Sequence, residues 1–265
     1  MGKQEVTKFH DHDFYELVVV FKGEGLHYTG DEKYEITAGD VFLIKPEIKH
    51  GYANTRELGL INILYLPDKL QMPLYDLINS PGYHAFFEVE PAMRRQHAFK
   101  SRLRLSSTKL DFLLQLIKQL EKEIDTGRQE SLFMAVSYFM QIIGFIARSY
   151  TKSQVPEHVN ILALGELISY IEGNYKKHIS VPQLAKRAAM SEVSLYRMFK
   201  KAFDISPVNY IISVRLSAAR EMLEKGEMTV SEIAFETGFS DSNYFSRAYK
   251  KKYGLSPRYY RQRRG

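Results

Sequence analysis

The hydrophobic pattern of the chain changes from a strand period to a helix period between residues 95 and 107. Before that point, short runs rich in β-branched and aromatic residues alternate with turn residues at roughly 8 to 12 residue spacing. The runs cover residues 15–21, 26–29, 34–37, 41–44 and 58–66. Residues 22–25 (KGEG) separate the first two runs and are typical of a turn. Many short strands at this spacing predict a sandwich or a small barrel.

Two long helices are predicted after the strand region. Leucine and isoleucine recur at steps of three and four over residues 107–125, which places them on one stripe of a helix. A second helix over residues 130–150 is apolar over much of its circumference. Such a helix must bury more surface than one neighbour covers, so we expect the pair to pack on the strand domain and to form a homodimer seam. An ordinary intramolecular hairpin is the alternative.

The C-terminal part contains an internal repeat. Residues 179–185 (ISVPQLA) match residues 228–234 (MTVSEIA) at a period of 49, and residues 195–207 match residues 245–257 at a period of 50. One supersecondary unit is therefore present twice. The sequence divides into a strand domain (1–95), a helical dimerisation segment (96–150), a polar linker (151–159) and the repeat domain (160–265).

Each copy of the repeat has the pattern of a helix-turn-helix. A capping box, Ser180 with Gln183 in the first copy, begins a helix of about two turns. A tight break follows at Ala189 or Gly238, and a second helix with a basic outer face is predicted from residue 191 or 240. Between the copies, residues 207–225 predict one helix of about 27 Å, which suits two recognition helices in successive major-groove segments. The predicted fold class is α+β with an all-α C-terminal domain.

The charge of the chain is concentrated in the repeat domain. The whole chain carries a net charge of +6, with 45% apolar residues and no cysteine. Residues 161–265 hold 18 Lys and Arg against 10 Asp and Glu, a net +8, and the first 160 residues hold 19 against 21, a net −2. A polyanionic partner is expected for the basic part. The absence of cysteine excludes disulfides, thiolate zinc sites and a cysteine nucleophile. The sequence predicts no membrane span and no signal peptide, so a cytoplasmic protein is expected.

Residues 160–265 resemble the DNA-binding domain of AraC/XylS-type transcription regulators, most clearly over residues 233–257 (IAFETGFSDSNYFSRAYKKKYGLSP). The resemblance implies that promoter DNA is contacted by the outer faces of the second helices. The residues that it assigns to base edges are Val193, Ser194, Tyr196, Arg197, Ser242, Asn243, Ser246 and Arg247. The residues that it assigns to phosphates are Lys200, Lys201, Lys250 and Lys251. Asp241 is expected either to cap the second helix or to contact RNA polymerase.

The strand domain carries candidate metal ligands. His10, His12 and Glu16 lie at even spacing, so they share one face of a strand. With a later Gly39-x6-Pro46-x3-His50-x3-Asn54, the set resembles the two motifs of a cupin, a small β-barrel. The resemblance implies a divalent metal ion held by His10, His12, Glu16 and His50. The alternative is a metal-free pocket in which these residues bind an effector. The other histidines are expected to be surface or satisfied core groups: His27, His84, His97, His158 and His178.

Parts of both domains also resemble the L-rhamnose-responsive members of the regulator family, at residues 12–25, 59–65 and 238–243. This resemblance implies a sugar effector. We therefore expect a one-component regulator, an activator of carbohydrate utilisation genes, in which a small molecule controls how a homodimer engages DNA. The competing hypothesis is a metal-dependent cupin enzyme acting on a sugar. It accounts for the histidines but not for the repeat or the +8 segment.

Overall fold

The computed structural model describes residues 9–30, 32–70, 72–94, 99–153 and 155–262. The chain divides into two compact units, Met1–Glu166 and Leu167–Gly265. The first unit contains an antiparallel sheet followed by helices, and the second is entirely helical in its described part. The predicted α+β class is confirmed. His97, one of the histidines named in the sequence analysis, lies outside the described residues.

The first unit is built on a curled antiparallel sheet. Its strands are β1 (Tyr15–Thr29), β2 (Glu32–Thr37), β3 (Asp40–Ile44), β4 (His50–Tyr65) and β5 (Leu103–Arg104). The strand order is β2-β1-β3-β5, and β4 also pairs with β1. The first half of β1 lies between β3 and the end of β4, and its second half lies between β2 and the beginning of β4. The long strand β1 therefore takes part in both halves of the curl.

The predicted turn at residues 22–25 is wrong, because β1 continues through it. The pairing of β1 with β4 shifts register three times between Val20 and Leu26, so the segment is a bulged bend within one strand. Gly23 has φ +71°, and a Cβ atom on it would lie 2.3 Å from the carbonyl oxygen of Arg56. The glycine there allows the left-handed conformation and the close approach of β4. A turn and a glycine bulge have similar composition, which explains the error.

The concave side of the sheet is aromatic and aliphatic. The buried residues of this core are Val18, Val20, Tyr34, Ile36, Phe42, Ile44, Tyr52 and Phe99. Alternation along β1 places Val18 and Val20 inside. The same alternation places Glu16 on this side, so its carboxylate lies among the buried residues of the unit.

The predicted helical hairpin is present as α4 (Ser107–Thr126) and α5 (Ser131–Thr151). Before it, short helical turns cover Pro67–Leu70 (α1), Tyr75–Asn79, Pro81–His84 (α2), Ala85–Val89 and Glu90–Met93 (α3). By length and composition alone, α5 is apolar enough to cross a membrane. It packs against α4, and the ring of Phe139 lies 4.9 Å from the ring of Tyr65 on β4, as in the core helix of a folded unit.

The helices of the repeat are α7 (Val181–Arg187), α8 (Glu192–Phe203), α9 (Pro207–Lys225), α10 (Val230–Glu236), α11 (Ser242–Tyr253) and α12 (Pro257–Gln262). They follow α6 (His158–Asn174), within which the two units meet at Glu166 and Leu167. The bounds of α9 agree with the predicted 207–225. The predicted start of the last recognition helix at residue 240 is wrong, because the turn of the second copy is one residue longer and α11 begins at Ser242.

Candidate nucleic-acid interface and effector cavity

Both copies begin with the predicted capping box. In the first copy the Gln183 amide donates to Ser180 Oγ, and the Ser180 amide donates to Gln183 Oε1, both at 3.4 Å. In the second copy the corresponding distances between Glu232 and Thr229 are 3.2 and 2.7 Å. These bonds satisfy amides at the start of α7 and α10. The turn then needs a positive φ, which Ala189 adopts at +51° and Gly238 at +87°. The local sequence thus fixes where each second helix begins.

The second helices, α8 and α11, bury one stripe and expose the other. Leu195 and Phe199 are fully buried in α8, and Phe245 and Tyr249 take the equivalent positions in α11. Ten of the twelve residues assigned to DNA lie on the exposed face, and the other two, Ser242 and Ser246, are half-buried. This arrangement leaves a polar helix face that can enter a major groove.

Arginines occupy the same position on both recognition helices. Arg197 and Arg247 are exposed, and neither forms an ion pair with another of the residues that the structure describes. An arginine in this position can donate two hydrogen bonds to guanine. Around Arg197, Val193 is 60% exposed and Tyr196 is 42% exposed. Both side chains are therefore accessible on the outer face of the helix, and an apolar group such as that of Val193 is suited to contact a thymine methyl group.

The lysines that the sequence analysis assigns to phosphates are not equivalent in the two copies. Lys200 Nζ lies 2.6 Å from Asp204 Oδ1 and donates to the Asp204 carbonyl oxygen at 2.9 Å. The position equivalent to Asp204 in the second copy is Gly254, which has no carboxylate to offer Lys250. The second recognition helix therefore presents its lysine without this local partner.

Part of the basic excess is structural. Lys252 donates to Ser213 and Ser217 of α9, and Arg215 donates to the carbonyl oxygens of Tyr175 and Lys177 at 2.9 Å. Arg261 donates to the carbonyl oxygen of Met228. These side chains hold the helices of the repeat together, so the +8 charge of the sequence overstates the number of cations offered to a polyanion.

Asp241 is the N-cap of α11. Its Oδ1 accepts from the amide of Asn243 at 2.8 Å, and the side chain remains exposed. The structure thus places the carboxylate at the positive end of a helix, where it is stabilising. Sequence reasoning missed Tyr244, which is 43% exposed on α11 and occupies the position equivalent to Ser194. The period of 50 between the copies could have identified it.

In the first unit, three of the four predicted ligands come together. His12 Nε2 lies 2.8 Å from Glu16 Oε2, and His50 Nε2 lies 3.2 Å from the same oxygen. All three side chains are at most 5% exposed. His10 is exposed, and its ring centroid lies 4.4 Å from that of His50. Asn54, the last residue of the cupin-like pattern, lies exposed on β4.

Backbone carbonyls fix the orientation of both imidazoles. Nδ1 of His12 lies 2.8 Å from the carbonyl oxygen of Phe14, and Nδ1 of His50 lies 3.0 Å from that of Ile48. Because a carbonyl only accepts, each Nδ1 carries the proton, and each Nε2 faces Glu16 either protonated or with a lone pair. The second form is the one that a metal ion requires, with the Nδ1 hydrogen bond holding the ring in place. The donor set His12, Glu16 and His50 therefore fits a divalent cation.

The electrostatics of the cluster favour a charged carboxylate. Burial by itself raises the pKa of Glu16, but the hydrogen bonds and charges of His50 and His12 outweigh burial and hold the pKa below its ordinary value. Burial by itself lowers the pKa of His50, but hydrogen bonds to Glu16 and Ile48 raise it above its ordinary value. The cluster is thus one coupled polar group within the buried interior of the unit.

The expectation for His27 as a surface or satisfied core group is wrong. His27 is fully buried, and neither ring nitrogen hydrogen-bonds to any residue that the structure describes. Its ring lies among Phe42, Tyr52 and His50 at centroid distances of 4.8 to 6.2 Å. Burial, Arg94 and His50 lower its pKa well below the ordinary value, so the ring is neutral. Tyr52 lies directly opposite His27 on β4, and its buried hydroxyl also has no hydrogen-bond partner among the described residues. Strict alternation from Val18 and Val20 would place His27 on the opposite face, and only the register shifts between Val20 and Leu26 bring it inside.

A cavity of about 600 Å³ opens beside this interior. Its wall combines Tyr34 and aliphatic residues with charged groups from three segments, among them Glu32, Lys45 and Arg94. Tyr34 contacts Phe99 at 4.9 Å, and Phe99 in turn contacts His27 at 5.9 Å. A pocket that combines apolar residues with a few polar and charged groups is typical of a small-molecule site of this volume.

Comparison with known proteins assigns both units. Residues 1–137 match the family described as AraC-like ligand binding domain, and residues 184–263 match a helix-turn-helix domain. The HTH-type transcriptional activator RhaR of Enterobacter sp. (strain 638) is 32% identical over 98% of this chain and 89% of the relative. RhaR of Escherichia coli (strain K12) is 32% identical over 97% of this chain and 88% of the relative.

Among solved structures, a probable AraC family transcriptional regulator from Rhodopseudomonas palustris CGA009 is 29% identical over 38% of this chain and 96% of that chain, with a TM-score of 0.37. The likeness to the RhaR proteins extends over nearly the whole chain, through the sheet, the hairpin and both helix-turn-helix copies. The chain belongs to the AraC family of DNA-binding transcription regulators, with a small-molecule-binding domain in front of the paired helix-turn-helix motifs.

Proposed function

We propose that the two recognition helices read one promoter site together, with Arg197 and Arg247 contacting bases and the exposed lysines contacting phosphates. The observation that carries this proposal is the pair of exposed arginines at equivalent positions of two helix-turn-helix copies. Val193, Tyr196 and Asn243 would add apolar and amide contacts. The two copies would engage successive major-groove segments because α9 has the length to separate them.

Duplex binding by the full chain tests this proposal. We expect anisotropy titrations on a selected promoter fragment to show an affinity that falls steeply as salt rises, because lysine and arginine release counterions from the phosphates. Lys118→Ala, an exposed cation on α4 of the other unit, is the matched control and should leave binding unchanged. Binding that is absent or independent of salt would overturn the proposal.

We further propose that the effector is a sugar, bound in the 600 Å³ cavity and the adjacent interior. The unpaired polar atoms of His27 and Tyr52 support a ligand rich in hydroxyl groups, because buried polar groups without partners are costly. The relatives named RhaR and the sequence resemblance favour L-rhamnose. A thermal-shift screen against a sugar library should show the largest stabilisation with L-rhamnose or a related deoxy sugar.

Tyr52→Phe sharpens this test. Loss of one hydrogen bond should weaken sugar binding by about 2- to 10-fold, with no loss of stability in the free protein because the hydroxyl has no described partner. Tyr28→Phe, one residue from His27 on the opposite face of β1, is the control and should bind normally. Unchanged sugar affinity in Tyr52→Phe would remove the interior from the effector site.

We propose that His12, Glu16 and His50 hold a divalent metal ion, with His10 beside them as a fourth ligand. Such an ion would act as a Lewis acid that can accept sugar hydroxyl groups as further ligands. The protein is proposed to regulate without catalysing a reaction, since nothing in this donor set requires the enzyme hypothesis. Elemental analysis of the purified protein measures occupancy, and a His50→Ala variant with a full effector response would exclude the cluster from the mechanism.

We also propose that the protein is a homodimer through α4 and α5. Leu132 and Phe133 at the start of α5 are 74% and 76% exposed, and Ile124 at the end of α4 is 65% exposed. Large apolar side chains exposed together on one hairpin are typical of an association surface. In sedimentation experiments, Phe133→Ser should shift the protein toward monomer. Tyr75→Ser, equally exposed on a separate segment, should not.

For activation, we propose that the exposed carboxylate of Asp241 contacts RNA polymerase in the cytoplasm. Asp241→Ser keeps an N-cap of the kind that Ser191 provides in the first copy, so α11 and DNA affinity should be preserved. Transcription in vitro should fall, because the charged contact is lost. Full transcription by Asp241→Ser would show that the residue is only a cap.

A further inference from the structure

The effector cavity ends at a buried ion pair. Arg94 lines the cavity wall and is 6% exposed. Its Nη2 donates to Glu90 Oε2 at 2.7 Å, its Nε donates to Glu90 Oε1 at 3.2 Å, and Nη2 also donates to the carbonyl oxygen of Leu43 at 2.6 Å. Glu90 is fully buried. Because a buried charge without its partner is strongly destabilising, Arg94 and Glu90 must move together.

Glu90 is connected to the end of α5. Its Oε1 accepts from Ser101 Oγ at 3.4 Å, and the carbonyl oxygen of Ser101 accepts from the hydroxyl of Tyr150 at 2.8 Å. Ser101 and Tyr150 are both fully buried. Burial and the negative charge of Glu90 raise the pKa of the Tyr150 hydroxyl, and the positive charge of Arg94 opposes them. The Tyr150 hydroxyl therefore stays protonated and donates its hydrogen bond to Ser101.

Tyr150 is also in contact with the first residue of α6. Its ring stacks on that of His158 with centroids 4.3 Å apart and an interplanar angle of 13°. His158 is 1% exposed, and burial lowers its pKa, so the imidazole is neutral. The helix that His158 begins continues to Asn174 and leads the chain into the DNA-binding unit. The stack thus fixes the start of that helix against the effector-binding unit.

We propose that Tyr150 is a positioning residue for effector control: through Ser101, Glu90 and Arg94 it links the effector cavity to His158 and so to the first turn of α6. An effector that binds differently to two arrangements of Arg94 would thereby shift the start of α6. From Arg94 to Tyr150 the connection consists of specific polar partners, whereas a junction needed only for stability could be apolar at little cost. The inference rests on the proposed effector site.

The first test distinguishes a change in the coupling between sugar binding and DNA binding from a change in sugar affinity itself. Tyr150→Phe removes the bond to Ser101 but keeps the ring that stacks on His158. L-rhamnose is the probe, with its affinity measured by calorimetry and the affinity for promoter DNA measured with and without it. We expect unchanged sugar affinity, and a ratio of the two DNA affinities that falls by about fivefold or more toward one. Tyr65→Phe, another tyrosine that packs on α5, is the matched control and should keep the wild-type ratio.

A second test needs no effector. Glu90→Gln should speed amide hydrogen exchange over residues 158–162 by about fivefold or more, whereas α9 of the same chain should exchange at the wild-type rate. If L-rhamnose does not bind the wild-type protein, the proposed effector is wrong and this second test still decides the connection. A wild-type DNA-affinity ratio in Tyr150→Phe, or unchanged exchange at residues 158–162 in Glu90→Gln, would overturn the inference.

Discussion

The two helix-turn-helix copies have the same backbone architecture but differ in their buried and exposed side chains. Both have a capping box, an exposed arginine, a left-handed residue after the recognition helix, and a Ser-Pro pair that begins the next helix. In the first copy the recognition helix buries Leu195 and Phe199, and in the second it buries Phe245 and Tyr249. The two copies are therefore more alike in backbone geometry than in the side chains of their cores.

The copies also differ in charge. The helix α8 has three basic residues and one acidic residue, whereas α11 has four basic residues, of which Lys252 is bonded to α9, and no acidic one. Val193 and Tyr196 are exposed on α8, and the equivalent positions of α11 are Asn243 and Ser246, whereas the exposed aromatic residue of α11 is Tyr244, equivalent to Ser194. We infer that the first copy depends more on contacts with bases and the second more on attraction to phosphates.

The largest effect is expected in the core of the second copy. Phe245 lies in a cluster with Phe239 and Tyr249, with ring centroids 5.2 and 5.8 Å away. Phe245→Ala should lower the free energy of unfolding by about 3–5 kcal/mol, and Leu195→Ala in the first copy by about 2–5 kcal/mol. Denaturant titration of the full chain, followed by a probe of the helical unit, measures both. A larger loss for Leu195→Ala would mean that the first copy is the more tightly packed.

The turns should respond in opposite directions. Gly238 has φ +87°, and a Cβ atom there would lie 2.6 Å from the carbonyl oxygen of Tyr175. Gly238→Ala should therefore cost about 1–2 kcal/mol for the left-handed conformation and about 1–3 kcal/mol for the forced shift. Ala189 already adopts φ +51°, so Ala189→Gly should stabilise the fold by about 1 kcal/mol or less. Thermal unfolding of the two variants distinguishes these signs, and destabilisation by Ala189→Gly would contradict the strain argument.

Sequence reasoning predicted the helical half well because its signals are local. Capping boxes, a period in the apolar residues and a Ser-Pro start each lie within a few positions, and they located α7, α9 and the buried stripes. The error at residue 240 arose from one inserted residue in a turn. The length of the turn, and not its composition, determines where the next helix begins. The recognition helix begins where Asp241 can cap it, and that depends on the added residue.

The sensor half was harder to predict because its signals depend on pairing between distant strands. His12, Glu16 and His50 were found because a spaced motif marks them, but His27 carries no such mark. Only the bulged pairing of β1 with β4 places His27 opposite Tyr52. The connection from Arg94 to His158 joins residues 90–101 to residues 150–158 through a hydrogen bond between positions 49 apart, so no pattern along the chain could reveal it.

The arginines test whether both copies read bases. Arg197→Ala and Arg247→Ala should each lose about 1–3 kcal/mol of binding free energy on the selected promoter site and relax the preference at one base pair. On duplexes of random sequence the losses should be much smaller. Competition titrations with single base-pair changes measure the difference. Equal losses on promoter and random duplexes would show that the arginines contact only phosphates, and the inferred division between the copies would then be wrong.

The smallest effect is expected where the copies differ by one charge. Asp204 has φ +59° and pairs with Lys200, whereas its equivalent Gly254 has φ +78° and no side chain. Asp204→Gly should change the free energy of unfolding by less than about 0.5 kcal/mol, because it removes a surface pair of similar worth and also left-handed strain. It should free Lys200 for phosphate and steepen the salt dependence of DNA binding by up to about one unit of slope. Lys200→Ala should instead make the salt dependence of DNA binding less steep. An unchanged slope in Asp204→Gly would mean that Lys200 lies outside the interface. The second copy already has glycine at this position. The variant therefore tests whether removal of one carboxylate gives the first copy the phosphate attraction inferred for the second.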